Sequence, residues 1–580
     1  MSRETQHIDP AQSAEIDRLE VLIAGLERGE VDPAYFQRFR LKNGIYGIRG
    51  SSDHHMVRIK LPFGRANAEQ LEAIADVAER YTPKGIAHVT TRQAIQLHHV
   101  PRRALPELLR RLASVGLTTR EACGNSVRNV TACPYAGISP TETFDVTPYA
   151  KTTYRFFLRN PIAQNLPRKF KIAFEGCSED HARLAIHDVG ALAVLDQEGR
   201  RGFRLLVGGG LGPAPMAAIL LEPFTPAELL LPTLEAIVRV FDRHGERKIR
   251  SQARLKFLIR KWGEAAFREA VLAERETVLA TQPGRAELGE IEEEAPPEDV
   301  VAGGVMGLSL LPGFEAWKRT NVRPQKQSGW VSVTVRLPLG DITAAQLRAL
   351  ARIARRHTGG RLGSTIGQNL MLRWVPEAAL SKVYAELYAA GLAHAGAETL
   401  SDITRCPGAD TCNIAITHSR ALADRLEALL EKRYPNDRRV GEISIKISGC
   451  PNSCGHHHIA DIGLYGAARK VNGHEVPHYV ILLGGRTGRE SASFGKVVAS
   501  IPARRIPQAI QIIIDRYLGE RGEDESFADY VSRVGPASFK PILRPLAQVP
   551  PYETAPELYE DLGAEGEKFE VQSGPGECAV

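Results

Sequence analysis

Four cysteines in the C-terminal half offer the densest chemistry in the chain: Cys406 and Cys412 in RCPGADTC, Cys450 and Cys454 in SGCPNSC. The pattern is C-x5-C, a gap of 37 residues, then C-x3-C. Four thiolates converging on one point hold either a structural zinc or an iron–sulfur cluster. Zinc knuckles favour two to four residues between paired ligands, so the five-residue first loop fits zinc poorly. Proline directly follows both Cys406 and Cys450, fixing the chain where it leaves each ligand, as suits a cluster lodged in loops. Spacing leaves both metals open and favours iron–sulfur.

A second set of residues is cationic and lies in the first half: Arg92 in TTRQ, Arg128 in NSVRNV, and Lys169 with Lys171 in LPRKFK. Any one of them alone reads as a solvated surface charge. Two details argue otherwise. Arg92 precedes AIQLHHV, a buried-looking strand, and its counterpart in an internal repeat is Gly367, so the fold does not require the charge. Lys169 and Lys171 alternate around Phe170, so both project from one face of a strand, and two ammonium groups there repel unless an anion sits between them.

The elements that must position these residues come from a duplication. RIKLPFGRANAEQLEAIADVAERY (58–81) matches TVRLPLGDITAAQLRALARIARRH (334–357), with Leu71, Ile74 and Val77 answering Leu347, Leu350 and Ile353 on one helix face. The match continues from TTRQAIQLHHVP to TIGQNLMLRWVP and then into a second helix, LPELLRRLASVGL against LSKVYAELYAAGL. Each unit reads strand, helix, strand pair, helix, which is a ferredoxin-like α+β pattern. A Cys-containing segment follows each unit, and KFKIAFEGC (169–177) parallels ISIKISGC (443–450). A spacing of roughly 275 residues is too long for a solenoid, so the chain reads as two domain pairs about a pseudo-two-fold axis.

The expected fold class is therefore α+β: duplicated ferredoxin-like units with larger mixed α/β cofactor-binding domains. The expected order is an N-terminal helical segment (1–50), ferredoxin-like repeat 1 (51–118), a substrate-side domain (119–284), an acidic Pro-containing linker (285–320), repeat 2 (321–395), a cysteine-bearing domain (396–535) and a Pro-rich tail (536–580) wrapping the surface. Only the second half carries all four cysteines, whereas the first presents arginines and lysines, so one half is expected to hold a cofactor and the other to receive substrate.

Composition excludes several classes. The net charge of +6 over 580 residues is modest, and its interspersed signs form no nucleic-acid stripe, although a mildly basic protein suits an acidic electron carrier. The polar N-terminus lacks the apolar core of a secretory leader, and the uncharged run 205–221 is broken by glycine and proline, so no membrane span is expected. Eight cysteines are too few for a disulfide framework, and a cytoplasmic setting is expected, with Cys123, Cys133, Cys177 and Cys578 as buried or incidental thiols.

GCPNSCGHHHIADIG closely resembles the signature of sulfite and nitrite reductases carrying sirohaem and a [4Fe–4S] cluster. The resemblance runs from about residue 30 to residue 535, taking in FRLKNGIYG and NVRPQKQSG. It implies Cys406, Cys412, Cys450 and Cys454 as cluster ligands, with Cys454 also bridging to the haem iron and Asn452 beside it. It places Arg92, Arg128, Lys169 and Lys171 on the distal face of sirohaem and brings Lys326 or Gln327 to the macrocycle. Sirohaem carries eight carboxylates, and arginine and lysine suit both these and small oxyanions. The implied reaction is six-electron reduction of sulfite to sulfide, with nitrite to ammonia as the alternative and a zinc-stabilised binding protein as a remote one. No flavin or nicotinamide motif is present, so electrons are expected from ferredoxin or, alternatively, a flavoprotein subunit. GGGLGP (208–213) lacks the lysine of a phosphate loop and reads better as a backbone nest for a sirohaem carboxylate. His456, His457 and His458 point in different directions and read as structural.

Overall fold

The structure is a computed structural model describing residues 8–281, 293–298, 300, 311–435, 437–572, 574, 576 and 577. Cys578 and much of the acidic stretch after residue 284 lie outside the described residues. Helices Pro10–Glu27 and Pro33–Lys42 open the described chain, each capped by an aspartate, Asp9 or Asp32, whose carboxylate accepts first-turn N–H groups. Among the described residues no helix is long and apolar enough to cross a membrane.

The repeated helices are Ala68–Tyr81 and Ala344–His357, and both begin with the same local device. Asn67 with Gln70, and Thr343 with Gln346, close reciprocal capping boxes that satisfy otherwise orphaned donors. Their apolar faces are fully used: Leu71, Ile74, Leu347 and Leu350 are wholly buried in one core shared by both units. Burial of each such side chain contributes about 1.5–3 kcal/mol, which favours the joined pair over either unit alone.

The repeat does not disclose that the two units exchange strands. Ile45–Ile48, Ser51–Lys60, Ala94–Pro101 and Ile86–Val89 form a sheet whose fifth strand, Asp341–Thr343, comes from the second half. Reciprocally, Arg65–Asn67 from the first half pairs antiparallel with Arg361–Ser364 at the edge of the second sheet. Each unit thus covers the other's open edge.

The larger domains repeat a second topology. Thr131–Ala132, Ile172–Glu175 and Val189–Leu195 run parallel, then Arg201–Val207 and Ile219–Pro226 return antiparallel. Thr404–Arg405, Ile445–Ser448 and Ile462–Val471 repeat the parallel run, followed by antiparallel His474–Leu483 and Lys496–Pro502. Leu230–His244 and Ile506–Glu520 bury apolar faces in the cores of these two halves.

Two segments behave differently from the sequence expectation. Within the linker, the Glu294 carboxylate docks on Arg373 and accepts the Trp374 indole N–H at 2.8 Å. The tail does more than wrap the surface. Phe539, Leu543 and Leu562 join the second-half core, and Glu577 pairs with the buried Arg40 at the start of the chain. Linker and tail share one device: a buried arginine needs a carboxylate, and Glu294 and Glu577 supply it to Arg373 and Arg40.

Candidate functional site

Cys406 directly follows the strand Thr404–Arg405, and Cys450 lies two residues beyond its parallel neighbour Ile445–Ser448. Both therefore leave the carboxyl edge of one sheet, where α/β sheets place their ligands. The turns there are tight. A Cβ on Gly455 would lie 2.0 Å from the Ile447 carbonyl oxygen, and Ser453 and His456 hold left-handed backbone at φ 58° and 65°. Gln368, also left-handed and buried, accepts the Arg405 N–H at 2.8 Å and donates to the Val89 carbonyl at 3.0 Å, fixing the residue before Cys406.

All four thiols line one cavity of about 150 Å³. Cys406 and Cys450 are buried, Cys412 is half-buried and Cys454 is exposed. Burial, and after it the Cys454 and Cys406 thiols, pushes Cys450 up to about 12. It therefore ionises near neutral pH only with a metal cation beside it. The Gly449 N–H points at the Cys406 sulfur at 3.1 Å, and the Asn452 amide donates toward Cys450 at 3.5 Å, contacts that suit metal-bound sulfur. Four thiols around one cavity are the donor set that an iron–sulfur cluster takes. The donor set fits a [4Fe–4S] cluster.

The four predicted cations also come together. Burial, then Arg92, Lys169 and Arg254, lowers Lys171 well below the ordinary lysine range. Burial likewise lowers Arg92 to about 9, with Asp188 opposing and Arg128, Arg254 and Arg58 adding to the shift. Arg92 donates to the Asn129 and Ile172 carbonyls at 2.7 and 3.0 Å, while its buried Nε has no partner. Arg128 donates to the Gly124 and Ala122 carbonyls at 2.7 and 2.9 Å, which anchors it beside Tyr46. Asp188, wholly buried, accepts from Arg254 at 2.8 Å and from the Lys171 backbone N–H at 2.9 Å. One carboxylate facing so many cations leaves a net positive cluster, which suits a polycarboxylate cofactor and an anionic substrate.

The two sets meet at one contact: the Thr91 hydroxyl, next to Arg92, donates to the Cys454 carbonyl at 3.1 Å. His456, two residues past Cys454, is buried and held below its ordinary range by burial and then by Lys171, which places the thiolate loop beside the cations. His458 bonds the Gly212 carbonyl at 3.0 Å, and both ring nitrogens of His457 are buried without partners.

Two expectations are not supported by this geometry. Neither Lys326 nor Gln327 lines the cavity. Lys326 pairs with the buried Glu142 at 2.9 Å and Gln327 donates to the Gly137 carbonyl at 2.9 Å, so both brace the 137–142 loop. The GGGLGP loop has two of its N–H groups committed to backbone partners. The Gly208 and Gly210 N–H groups already serve the Asp188 and Met216 carbonyls, and the Gly210 and Leu211 carbonyls converge on Lys256. Sequence reasoning missed Arg254, Asp188, Thr91, Arg58 and the tail residue Glu577; Arg58, Thr91 and Glu577 line the cysteine cavity. Arg58, which opens the repeated strand, and Thr91, inside the repeated TTRQ segment, carried a signal that could have found them.

The profile described as the nitrite and sulphite reductase 4Fe-4S domain matches residues 123–278 and 396–548, and that of the nitrite/sulfite reductase ferredoxin-like half domain matches 48–115 and 323–390. The chain belongs to the nitrite and sulfite reductase family. It is 32% identical to the ferredoxin–nitrite reductase of Synechococcus elongatus over 485 residues, covering 82% of this chain and 88% of that one. It is 30% identical to a sulfite reductase [ferredoxin] of Mycobacterium tuberculosis, covering 83% and 82%. The solved structure of the Mycobacterium tuberculosis NirA protein superposes with a TM-score of 0.77 at 28% identity, covering 93% of this chain and 98% of that one. The protein is thus an enzyme of the family that uses sirohaem and a [4Fe–4S] cluster, and its cysteines and cations fit both groups.

Proposed function

We propose that this enzyme reduces sulfite to sulfide, taking six electrons one at a time from a ferredoxin. Lys171 carries the reading. Sulfite is partly a dianion near neutral pH and nitrite a monoanion, so a further cation beside Arg92, Lys169 and Arg254 favours the former. Cys406, Cys412, Cys450 and Cys454 would hold the cluster, with Cys454 the shared ligand to sirohaem. Once bound, the pair would relay the donor's electrons and supply a metal to hold the anion.

The protein's own groups orient the anion and move protons. Arg92 offers a fixed charge and its unpartnered Nε to an oxyanion oxygen. Lys171, made acidic by burial and by its cationic neighbours, yields a proton as each oxygen leaves as water, and solvent restores it. In balance, sulfite takes up six electrons and seven protons to give hydrosulfide and three waters.

Both substrates have named relatives, ferredoxin–nitrite reductase and sulfite reductase [ferredoxin]. The deciding experiment is a steady-state comparison of sulfite and nitrite with one low-potential donor. A higher kcat/KM for sulfite is expected; a higher value for nitrite would reverse the substrate assignment while leaving the cofactor site intact. Ferredoxin is supported as donor by the names of those relatives.

A further inference from the structure

The duplication places a second set of metal-ligand side chains in the first half. TACP (131–134) repeats as TRCP (404–407), and Cys133 and Cys177 are 44 residues apart, as are Cys406 and Cys450. Counting on, His181 stands four residues after Cys177, as Cys454 stands four after Cys450, while Ser139 occupies the Cys412 position. Three of the four ligand positions therefore still carry metal-binding residues in the half whose extra cysteines read as incidental thiols.

The structure brings them together. The Cys133 sulfur lies 3.3 Å from the Cys177 sulfur and 3.5 Å from His181 Nδ1. With a Glu175 carboxylate oxygen, all four donor atoms lie within 4.8 Å of one another. Cys133, Cys177 and Glu175 are wholly buried. Glu175 replaces Ser448 of the other half. Its carboxylate accepts the Gly176 and Cys177 N–H groups, both at 2.9 Å, and the Ala182 N–H at 2.8 Å, and no lysine or arginine among the described residues pairs with it. A wholly buried carboxylate without a cation is costly, and a divalent ion between it and the thiols relieves that cost.

The separations identify the kind of metal. Tetrahedral zinc with Zn–S of about 2.3 Å and Zn–N of about 2.0–2.1 Å puts its donors roughly 3.5–3.8 Å apart; the two Cys133 contacts, at 3.3 and 3.5 Å, approach this, and the whole donor set stays within 4.8 Å. A cubane cluster spreads its cysteine sulfurs much farther than 3.3 Å. Two thiolates, one imidazole and one carboxylate also suit zinc over magnesium, calcium or manganese. We propose that Cys133, Cys177, His181 and Glu175 bind a single zinc ion, a structural site in the half that mirrors the cluster. The His181 ring rests edge-on against Tyr135 at 4.8 Å, which fixes its orientation toward the sulfurs.

The test uses the holoenzyme, expressed with zinc supplied and passed over a chelating resin. Elemental analysis should give about one zinc per chain beside the iron, and zinc-edge X-ray absorption should show two sulfur neighbours at about 2.3 Å with the remainder nitrogen or oxygen. Cys177→Ser and His181→Gln should each lower zinc at least tenfold while iron and the visible spectrum stay unchanged, which separates this site from the cluster. If a variant loses iron as well, it has misfolded, and the wild-type absorption result alone decides. Zinc absent from wild type, a shell of oxygen only, zinc unmoved by both substitutions, or a Cys133–Cys177 disulfide in non-reducing peptide maps would each overturn the proposal.

Discussion

Lys171 has Arg92, Lys169 and Arg254 around it and Asp188 facing them, so its charge is costly until an anion arrives. On the proposed function, that arrangement makes it the residue at which substrate charge is read. Lys171→Asn keeps a polar side chain but removes one cation from the pocket. It should lower kcat/KM for sulfite about tenfold more than for nitrite, a difference of about 1.4 kcal/mol in transition-state stabilisation. Equal losses on the two anions would mean that Lys171 serves the cofactor or the fold instead. Arg92 differs in kind: two carbonyls hold its guanidinium in place, so its role is positional, whereas Lys171 can also give up its proton.

Among the elements, the strap at 293–298 shows how a segment with no regular structure can set loop geometry. Glu294 holds Arg373, which is wholly buried and donates to the Pro134 and Ala136 carbonyls at 2.7 and 2.9 Å, in the loop just after Cys133. Burial alone would raise the Glu294 carboxyl, but Arg373 and Arg65 outweigh it and hold the group at about 2, against an ordinary 4.5. A lowered carboxyl stabilises the fold above its unfolded value and loses that contribution as pH falls through the folded one. The window is therefore pH 4.5 down to about 2. Glu294→Gln should cost about 3 kcal/mol at pH 7, because Arg373 is left buried and unpaired, and the gap to wild type should close across that window. Denaturant unfolding of both proteins at pH 7 and pH 3 checks this. A gap of the same size at both pH values would show that the carboxylate charge is not what matters.

Across the whole molecule, duplication followed by divergence leaves the four cysteines in the second half and Arg92, Arg128, Lys169 and Lys171 in the first, so the proposed function puts electron entry and substrate binding in different halves. The cysteine cavity is lined by both halves and the tail, with its four thiols from the second half, while the cation cluster belongs to the first, and the exchanged strands fix one half against the other. A net charge of +6 suits long-range attraction of an acidic ferredoxin, and such attraction is screened by salt. With ferredoxin as donor, the apparent KM for the carrier should rise steeply between low and physiological ionic strength, while turnover with a small dye donor should stay flat. A flat response with ferredoxin, or turnover only with a flavoprotein, would move the donor assignment to the latter.

The four-cysteine pattern and the duplication were legible in the chain itself, whereas the grouping of Arg92 with Lys171 was implied only by the family resemblance. Ligand spacing, helical periodicity and strand alternation are local properties, written in residues close together in sequence. The capping boxes at Asn67 and Thr343 are of the same kind. What only the tertiary structure decided are relations between distant segments. These include the exchange of Asp341–Thr343 and Arg65–Asn67, the docking of Glu294 and Glu577 on buried arginines, and the diversion of Lys326 to Glu142. Cys133, Cys177 and His181 are the clearest instance. Apart in sequence they read as two incidental thiols and a histidine, and only the parallel pairing of Thr131–Ala132 with Ile172–Glu175 brings their donor atoms within reach of one ion. Long-range pairing is settled by which buried charges and sheet edges find partners, and that depends on the whole packed chain.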